Sequence, residues 1–157
     1  MNKKIQYRRK KKGVTDYKKR LSLLKSGNPR LVIRKSLRNI QLQLTAYHKD
    51  GDKILASSHS NQLSKLGWGL HRGNIQAAYL TGLMLGMRAK SKGIKDAVLD
   101  LGLARSIKGS VLYAALKGAV DSGMSIPHSK DILPEEKRLA GKEGFKEIKE
   151  RILKEKW

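Results

Sequence analysis

The sequence predicts an α/β fold: a mixed sheet of three antiparallel strands plus one parallel strand with two helices, led by a basic N-terminal arm and trailed by a helical tail. Three observations carry this. "IQLQLTAYH" (40–48) alternates strictly, sending Ile40, Leu42, Leu44 and Ala46 to one side and Gln41, Gln43, Thr45 and Tyr47 to the other. Two apolar stretches at helical spacing, opening near Asn74 and Ser110, flank a short run that reads as a buried strand. Fifteen of the 35 cations lie in residues 1–38, opposed there by one acid, Asp16.

Taken in order, residues 1–14 lack apolar periodicity and read as a flexible arm. Thr15 or Asp16 caps a short helix with Tyr17, Leu21 and Leu24 on one stripe, and "SGNP" (26–29) ends it. A strand follows at Leu31–Ser36. The alternating segment Ile40–His48 comes next, then an Asp-Gly turn at Lys49–Asp52 and a third strand at Ile54–Ser58. One sheet face is thus apolar, and the other is left polar and available.

"NQLSKLGWGLHRG" (61–73) reads as a glycine-punctuated loop, after which Asn74 caps a long helix running to about Lys90. Its small-residue stripe, Ala78, Gly82, Gly86 and Ala89, is expected to pack closely on the sheet. "DAVLDLGL" (96–103) is the buried strand, joining in parallel through a right-handed crossover. Lys108–Ser110 leads into the second helix, with Val111, Leu112, Ala115, Leu116, Ala119 and Val120 inward and Gly123 as its stop. In the tail, Pro134, Glu135 and Glu136 begin a helical turn, and Gly141 and Gly144 interrupt it. Phe145, Ile148 and Ile152 then resume a stripe, with Glu147–Arg151 and Glu150–Lys154 at i, i+4. The expected organisation is an arm with a short helix over 1–29, an α/β core domain over 30–126 and a helical tail over 127–157.

A formal charge of +22 makes a polyanion the expected partner, because cations that neutralise phosphates release condensed counterions. An anionic membrane is a second possible attractor, but the uncharged run Gly73–Met87 is too short for a span. The absence of cysteine removes disulfides, thiolate metal sites and cysteine nucleophiles. His48, His59, His71 and His128 are too widely spaced for a local zinc site. With no secretory-type apolar core at the N-terminus, the protein reads as soluble and intracellular.

Eight of the fourteen residues of "YRRKKKGVTDYKKR" (7–20) are Lys or Arg, a density that solubility alone does not require. Arg8, Arg9, Lys10, Lys11 and Lys12 suit phosphates. Tyr7 or Tyr17 suits stacking on an unpaired base, with Tyr17 better suited to anchoring the helix stripe.

"GWGLHRGN" (67–74) has Arg72 where a dinucleotide fingerprint needs its third glycine, and no Walker lysine follows, so a nucleotide cofactor is not expected. The loop better suits close approach of an RNA backbone, with His71 and Arg72 as donors. The order of strands and helices is that of the ribonuclease-H-like topology, whose nucleases need clustered carboxylates. "RLVIRKS" (30–36) has none, and Asp100 has no acidic neighbour in sequence. Asp100 therefore reads as a hydrogen-bonding group at a strand end, and no catalytic residue is assigned. The alternatives from the residues alone are an RNA-processing nuclease on this topology and a general nucleic-acid-coating protein.

"YRRKKKGVTDYKKRLSLLKSGNPRLVIRKS", "GNIQAAYLTGLMLGMRA", "AVLDLGL", "GSVLYAALKGAVDSGMSIPHS" and "LPEEKRLAGKE" occur in this order and together cover most of the chain. In them the chain resembles the universal large-subunit ribosomal protein that binds 5S rRNA, the L-eighteen family in its archaeal and eukaryotic form. Its compact length is like the archaeal branch.

The resemblance implies a structural ribosomal protein in the cytoplasm, with no enzyme activity, cofactor, metal or small-molecule substrate. It further implies that the basic arm holds 5S rRNA and helps seat it in the central protuberance against large-subunit rRNA, beside the L-five family protein. By position, the arm residues Tyr7–Lys12 with Tyr17, Lys18, Lys19 and Arg20 should meet RNA, as should Arg34, Lys35, Ser36 and Arg38. Arg72, Asn74, Lys108 and Ser110 are the weaker carry-overs. Leu37, Asn39 and the pair Ile75–Gln76 depart from the family's usual Asn, His and Thr-Pro.

Overall fold

The computed structural model describes residues 5–140 and 144–155. The arm supplies α1 (Arg8–Lys11) and α2 (Tyr17–Leu24). The sheet strands are β1 (Arg30–Lys35), β2 (Ile40–Ala46), β3 (Lys53–His59) and β4 (Val98–Asp100). The helices α3 (Ile75–Ser91) and α4 (Val111–Asp121) cover the sheet, and α5 (Glu136–Ala140) and α6 (Phe145–Lys154) form the tail.

The strand order is β3-β2-β1-β4, with the first three antiparallel and β4 parallel to β1. The expected mixed sheet is therefore present. The register sorts the side chains by face. Leu31 pairs with Leu44 and with Leu99, and Ile33 pairs with Leu42, so these aliphatics share the core face. Arg30 pairs with Thr45 and Val98, Val32 with Gln43 and Asp100, and Arg34 with Gln41, so these occupy the opposite face. The β2–β3 ladder slips between Leu44 and Thr45, which leaves Leu55 as the extra residue of a bulge.

Asn74 caps α3 as the sequence suggests, its Oδ1 accepting from the Ala77 N–H at 2.7 Å. The small-residue stripe behaves differently from expectation. A Cβ on Gly82 would overlap the Ala115 carbonyl, one on Gly86 would overlap the Ser122 hydroxyl, and one on Gly118 of α4 would overlap the Tyr79 carbonyl. The glycines bring α3 and α4 against each other rather than onto the sheet. Two helices on one face must share its width, and bare backbones permit the closest approach.

The 60–73 segment also departs from a plain loop. Ser60–Leu66 is a 3-10 helix opened by a capping box, in which the His59 ring accepts from the Asn61 N–H and Gln62 Oε1 accepts from the His59 N–H.

At the N-terminus the arm has more structure than a flexible tail. α1 makes one helical turn, with the Tyr7 and Tyr17 rings in tilted contact at 5.0 Å and Arg9 Nε donating to Thr15 Oγ1 at 2.8 Å. Asp16 caps α2 through the N–H groups of Lys18 and Lys19. The apolar stripe differs from expectation, since Leu21 is exposed while Tyr17, Leu23 and Leu24 are half-buried. No residue of α2 is fully buried, because this helix lies over the polar face, where there is little apolar surface to meet.

In the tail, Phe145, Ile148 and Ile152 are buried and α6 packs on α3, with Phe145 and Tyr79 rings 5.6 Å apart. Lys149 Nζ sits 5.3 Å from the centre of the Tyr79 ring, and the Tyr79 hydroxyl donates to Asp121 at 2.8 Å. Arg151 turns to the Leu66 carbonyl at 3.0 Å, leaving Glu150–Lys154, at 4.0 Å, as the tail pair that forms an exposed i, i+4 contact. Gly141 lies outside the described residues.

Replacing Gly82 by Ala tests the helix contact. In an open helix the change would stabilise by roughly 0.5–1 kcal/mol. Here the collision with the Ala115 carbonyl reverses the sign, and denaturant titration should show a loss of about 1–3 kcal/mol.

Candidate nucleic-acid interface

On the side of the sheet away from α3 and α4, the arm and β1 enclose an open groove of about 790 Å³. Arg9, Thr15, Lys19 and Arg20 line it from the arm, Val32, Arg34, Lys35 and Gln43 from the sheet, and Leu103 from the loop after β4. The polar face is therefore partly roofed by α2, which corrects the expectation that it stays bare. Because α2 buries no residue fully there, polar links help to seat it. Lys19 Nζ donates to the Gly102 carbonyl at 3.1 Å, and Arg20 Nη2 donates to both Asp52 oxygens at 2.9 Å.

Beneath α2 the charges alternate. Asp52, in the β2–β3 turn, also accepts from Arg30, whose side chain is only 3 % exposed. Arg30 Nη1 donates to Asp100 Oδ2 at 2.7 Å. Asp100 in turn accepts from Arg34 Nη2 at 3.2 Å and from the Gly102 N–H at 2.8 Å, while Arg34 Nη1 reaches the Asp100 carbonyl at 2.8 Å. Asp100 is thus the strand-end hydrogen-bonding group that its sequence context suggests. Burial alone would raise its carboxyl pKa. The Arg34 guanidinium, the Gly102 N–H and Arg30 outweigh that and hold it below the ordinary 3.8. No group of three or more His, Cys, Asp or Glu residues among those described is placed to hold a metal ion.

The other sequence candidates divide by position. Arg8, Lys10, Lys11, Lys12 and Lys18 are exposed, and Tyr7 stays 71 % exposed beside its tilted contact with Tyr17. Lys35 and Arg38 are exposed at the end of β1, where the Ser36 hydroxyl and Asn39 close a tight turn through bonds of 3.0 Å. Arg72 donates to Asn61 and, with Arg38, Trp68 and His71, frames a second concavity of about 370 Å³.

Asn74 is engaged in capping, and the Ser110 hydroxyl is buried without a hydrogen-bond partner among the described residues. Lys108 is exposed beside Gly109, whose carbonyl accepts from Arg138 at 3.1 Å.

The sequence reading did not single out Asp52, Gln43, Ile54 or Leu103 as groove residues. For Gln43 the signal was present, since its place in the alternating strand puts it on the polar face. Asp52 read only as a turn residue, because its partners lie 22 and 32 positions away.

Comparison with known proteins matches the family model described as ribosomal large subunit proteins 60S L5 and 50S L18 to residues 2–96 and 89–129. The chain is similar to the large ribosomal subunit protein uL18 of Methanococcus maripaludis. The two are 53 % identical over 137 residues, covering 87 % of this chain and 71 % of that protein.

Asp100→Asn tests the buried charge pairing. A carboxylate with a depressed folded pKa contributes stability that is fully present above its unfolded value. That contribution is lost as pH falls through the folded value. The variant should therefore lose about 1–3 kcal/mol at pH 7. Its stability should also change less than wild type's as pH drops below 3.8, read by denaturant titration across pH.

Proposed function

The chain belongs to the family of ribosomal large subunit proteins 60S L5 and 50S L18, and on that premise we propose that it binds 5S rRNA and helps attach it to large-subunit rRNA in the central protuberance. Membership carries a structural role in the large ribosomal subunit of the cytoplasm. In our reading the protein is a scaffold without enzyme activity, and the neighbouring L-five family protein is among its partners.

The observation that carries the proposal is the pairing of a densely cationic, exposed arm with a groove whose cations are already held in place. Arg8 and Lys10–Lys12 stand free on the surface of α1 and beyond it, while Lys19, Arg20 and Arg34 are oriented by protein acceptors around the groove. Exposed cations meet phosphates along the backbone, and fixed ones select a particular RNA shape. Tyr7 supplies a flat surface for an unpaired base. The concavity framed by Arg38, His71 and Arg72 lies on a different part of the surface and suits a second stretch of RNA. In this reading residues 1–29 are the RNA-gripping arm, 30–126 the platform and 127–157 the tail whose α6 braces α3.

Binding of transcribed 5S rRNA, followed by fluorescence anisotropy, tests the proposal. If roughly six to ten phosphates are engaged, affinity should fall about 10³- to 10⁵-fold between 50 and 200 mM salt, by analogy with duplex DNA. Deleting residues 1–20 should weaken binding at least about tenfold and flatten that dependence. Equal competition by duplex DNA would point to a general coating protein, and metal-dependent cleavage of the RNA to a nuclease. Either result would overturn the proposal.

A further inference from the structure

Three of the groove's lining residues carry the wrong charge for gripping RNA, and one of them, Asp16, is accounted for as the cap of α2. Asp52 and Asp100 sit among the cations proposed to meet phosphate, in a chain with only 13 acids against 35 Lys and Arg. A carboxylate in that position repels phosphate, and acids are scarce enough that two here call for a reason.

We infer that Asp52 and Asp100 are positioning residues of the RNA interface: joined through buried Arg30, they fix Arg20 of α2 and Arg34 of β1 on either side of the groove. This rests on the RNA-binding reading above and names how that site is kept in register.

The geometry separates positioning from simple neutralisation of Arg30. Asp100, only 7 % exposed and 2.7 Å from Arg30, is the more buried of that guanidinium's two carboxylate partners. Asp52 is more exposed, at 23 %, and uses its remaining oxygen capacity on Arg20 in the arm. Arg20 gives Nη2 alone to this bridge, so its Nη1 and Nε take no part in it. Arg34 likewise is held by Asp100 while 48 % of its side chain stays exposed. Both outer arginines are gripped from within and open outward.

The grip matters because α2 has no fully buried residue and seats only half-buried Tyr17, Leu23 and Leu24, so apolar packing alone fixes its position weakly. Its polar links to the body of the protein among the described residues include Arg20 to Asp52 and Lys19 to the Gly102 carbonyl, from adjacent residues of the helix. A helix seated by two polar tethers is sensitive to the loss of one. If α2 is then seated for only a third to a tenth of the time, apparent RNA affinity falls by the same factor.

Asp52→Asn decides the matter, because positioning and bare electrostatics predict opposite signs. Removing an acid from a phosphate-binding groove should by charge alone tighten binding. If Asp52 positions Arg20, the substitution should instead weaken 5S rRNA binding about three- to tenfold. Asp52→Glu, which keeps the charge on a side chain one methylene longer and can still reach Arg20, should bind within about twofold of wild type.

Hydrogen exchange on the RNA-free proteins should show faster exchange over Tyr17–Leu24 in Asp52→Asn, with β1 and β2 unchanged. Equal or tighter RNA binding by Asp52→Asn, or unchanged exchange in α2, would overturn the inference. So would faster exchange throughout the sheet, which would mean a general loss of fold. Failure of wild type to bind 5S rRNA would instead sink the RNA reading, and the exchange experiment would still decide the tether.

Discussion

Arg30 stands at the first position of β1 with 3 % of its side chain exposed, in a protein whose formal charge is +22. A guanidinium that deep is costly unless paired, and most of the other charged groups lining the groove are also positive. The fold answers by converging two of its few acids on it from distant parts of the chain. Asp52 comes from the turn that follows β2, and Asp100 from the end of β4, both brought in by strands flanking β1. Each carboxylate has more acceptor capacity than one guanidinium uses, so each holds a second arginine further out. A single buried cation thereby organises a row of five alternating charges across the polar face, with arginine at both ends.

The two faces of the sheet meet different demands. On the apolar face, Leu31, Ile33, Ile40, Leu42 and Leu44 are completely buried, and the glycines of α3 and α4 let both helices fit over them. The tail helix extends this layer by setting Phe145, Ile148 and Ile152 against α3. Stability is concentrated there. The polar face contributes little apolar burial, so what covers it can be cationic and lightly held. The separation lets one small protein have a rigid body and a charged gripping surface without either compromising the other.

How much of this could be read in advance depended on how local the signal was. Strict alternation in Ile40–Ala46, the Asn74 cap and the stop at Gly123 are short-range patterns, and the structure follows them. The stripe Ala78, Gly82, Gly86 and Ala89 announces a close approach but is silent on what approaches, and α4 proved to be the partner at Gly82 and Gly86. Ser60–Leu66 lacks the period of an α-helix and so read as loop, although His59 and Gln62 were available to cap it. In the groove, cation density marked the correct stretch of chain. It could not distinguish Arg20 and Arg34, held by acids 32 and 66 positions away, from exposed Lys18. Charge is written locally, whereas its pairing is a product of topology.

That difference among the cations bears on how a basic arm can be both ordered and available. If every cation of α2 were engaged with the protein, none would remain for phosphate. If none were, the like charges of the arm would drive it off the body, and binding would bear the full entropy of ordering it. Successive residues of a helix point about 100° apart, so one turn can face two ways. Lys19 and Arg20 reach down to the Gly102 carbonyl and Asp52, while Lys18 and the cations of α1 face solvent. The tethering residues use the helix's inner side, where α2 has no fully buried residue, and leave the outer side charged. A polyanion laid on that outer side would also relieve the repulsion that works against the tethers, so seating the helix and binding RNA favour each other.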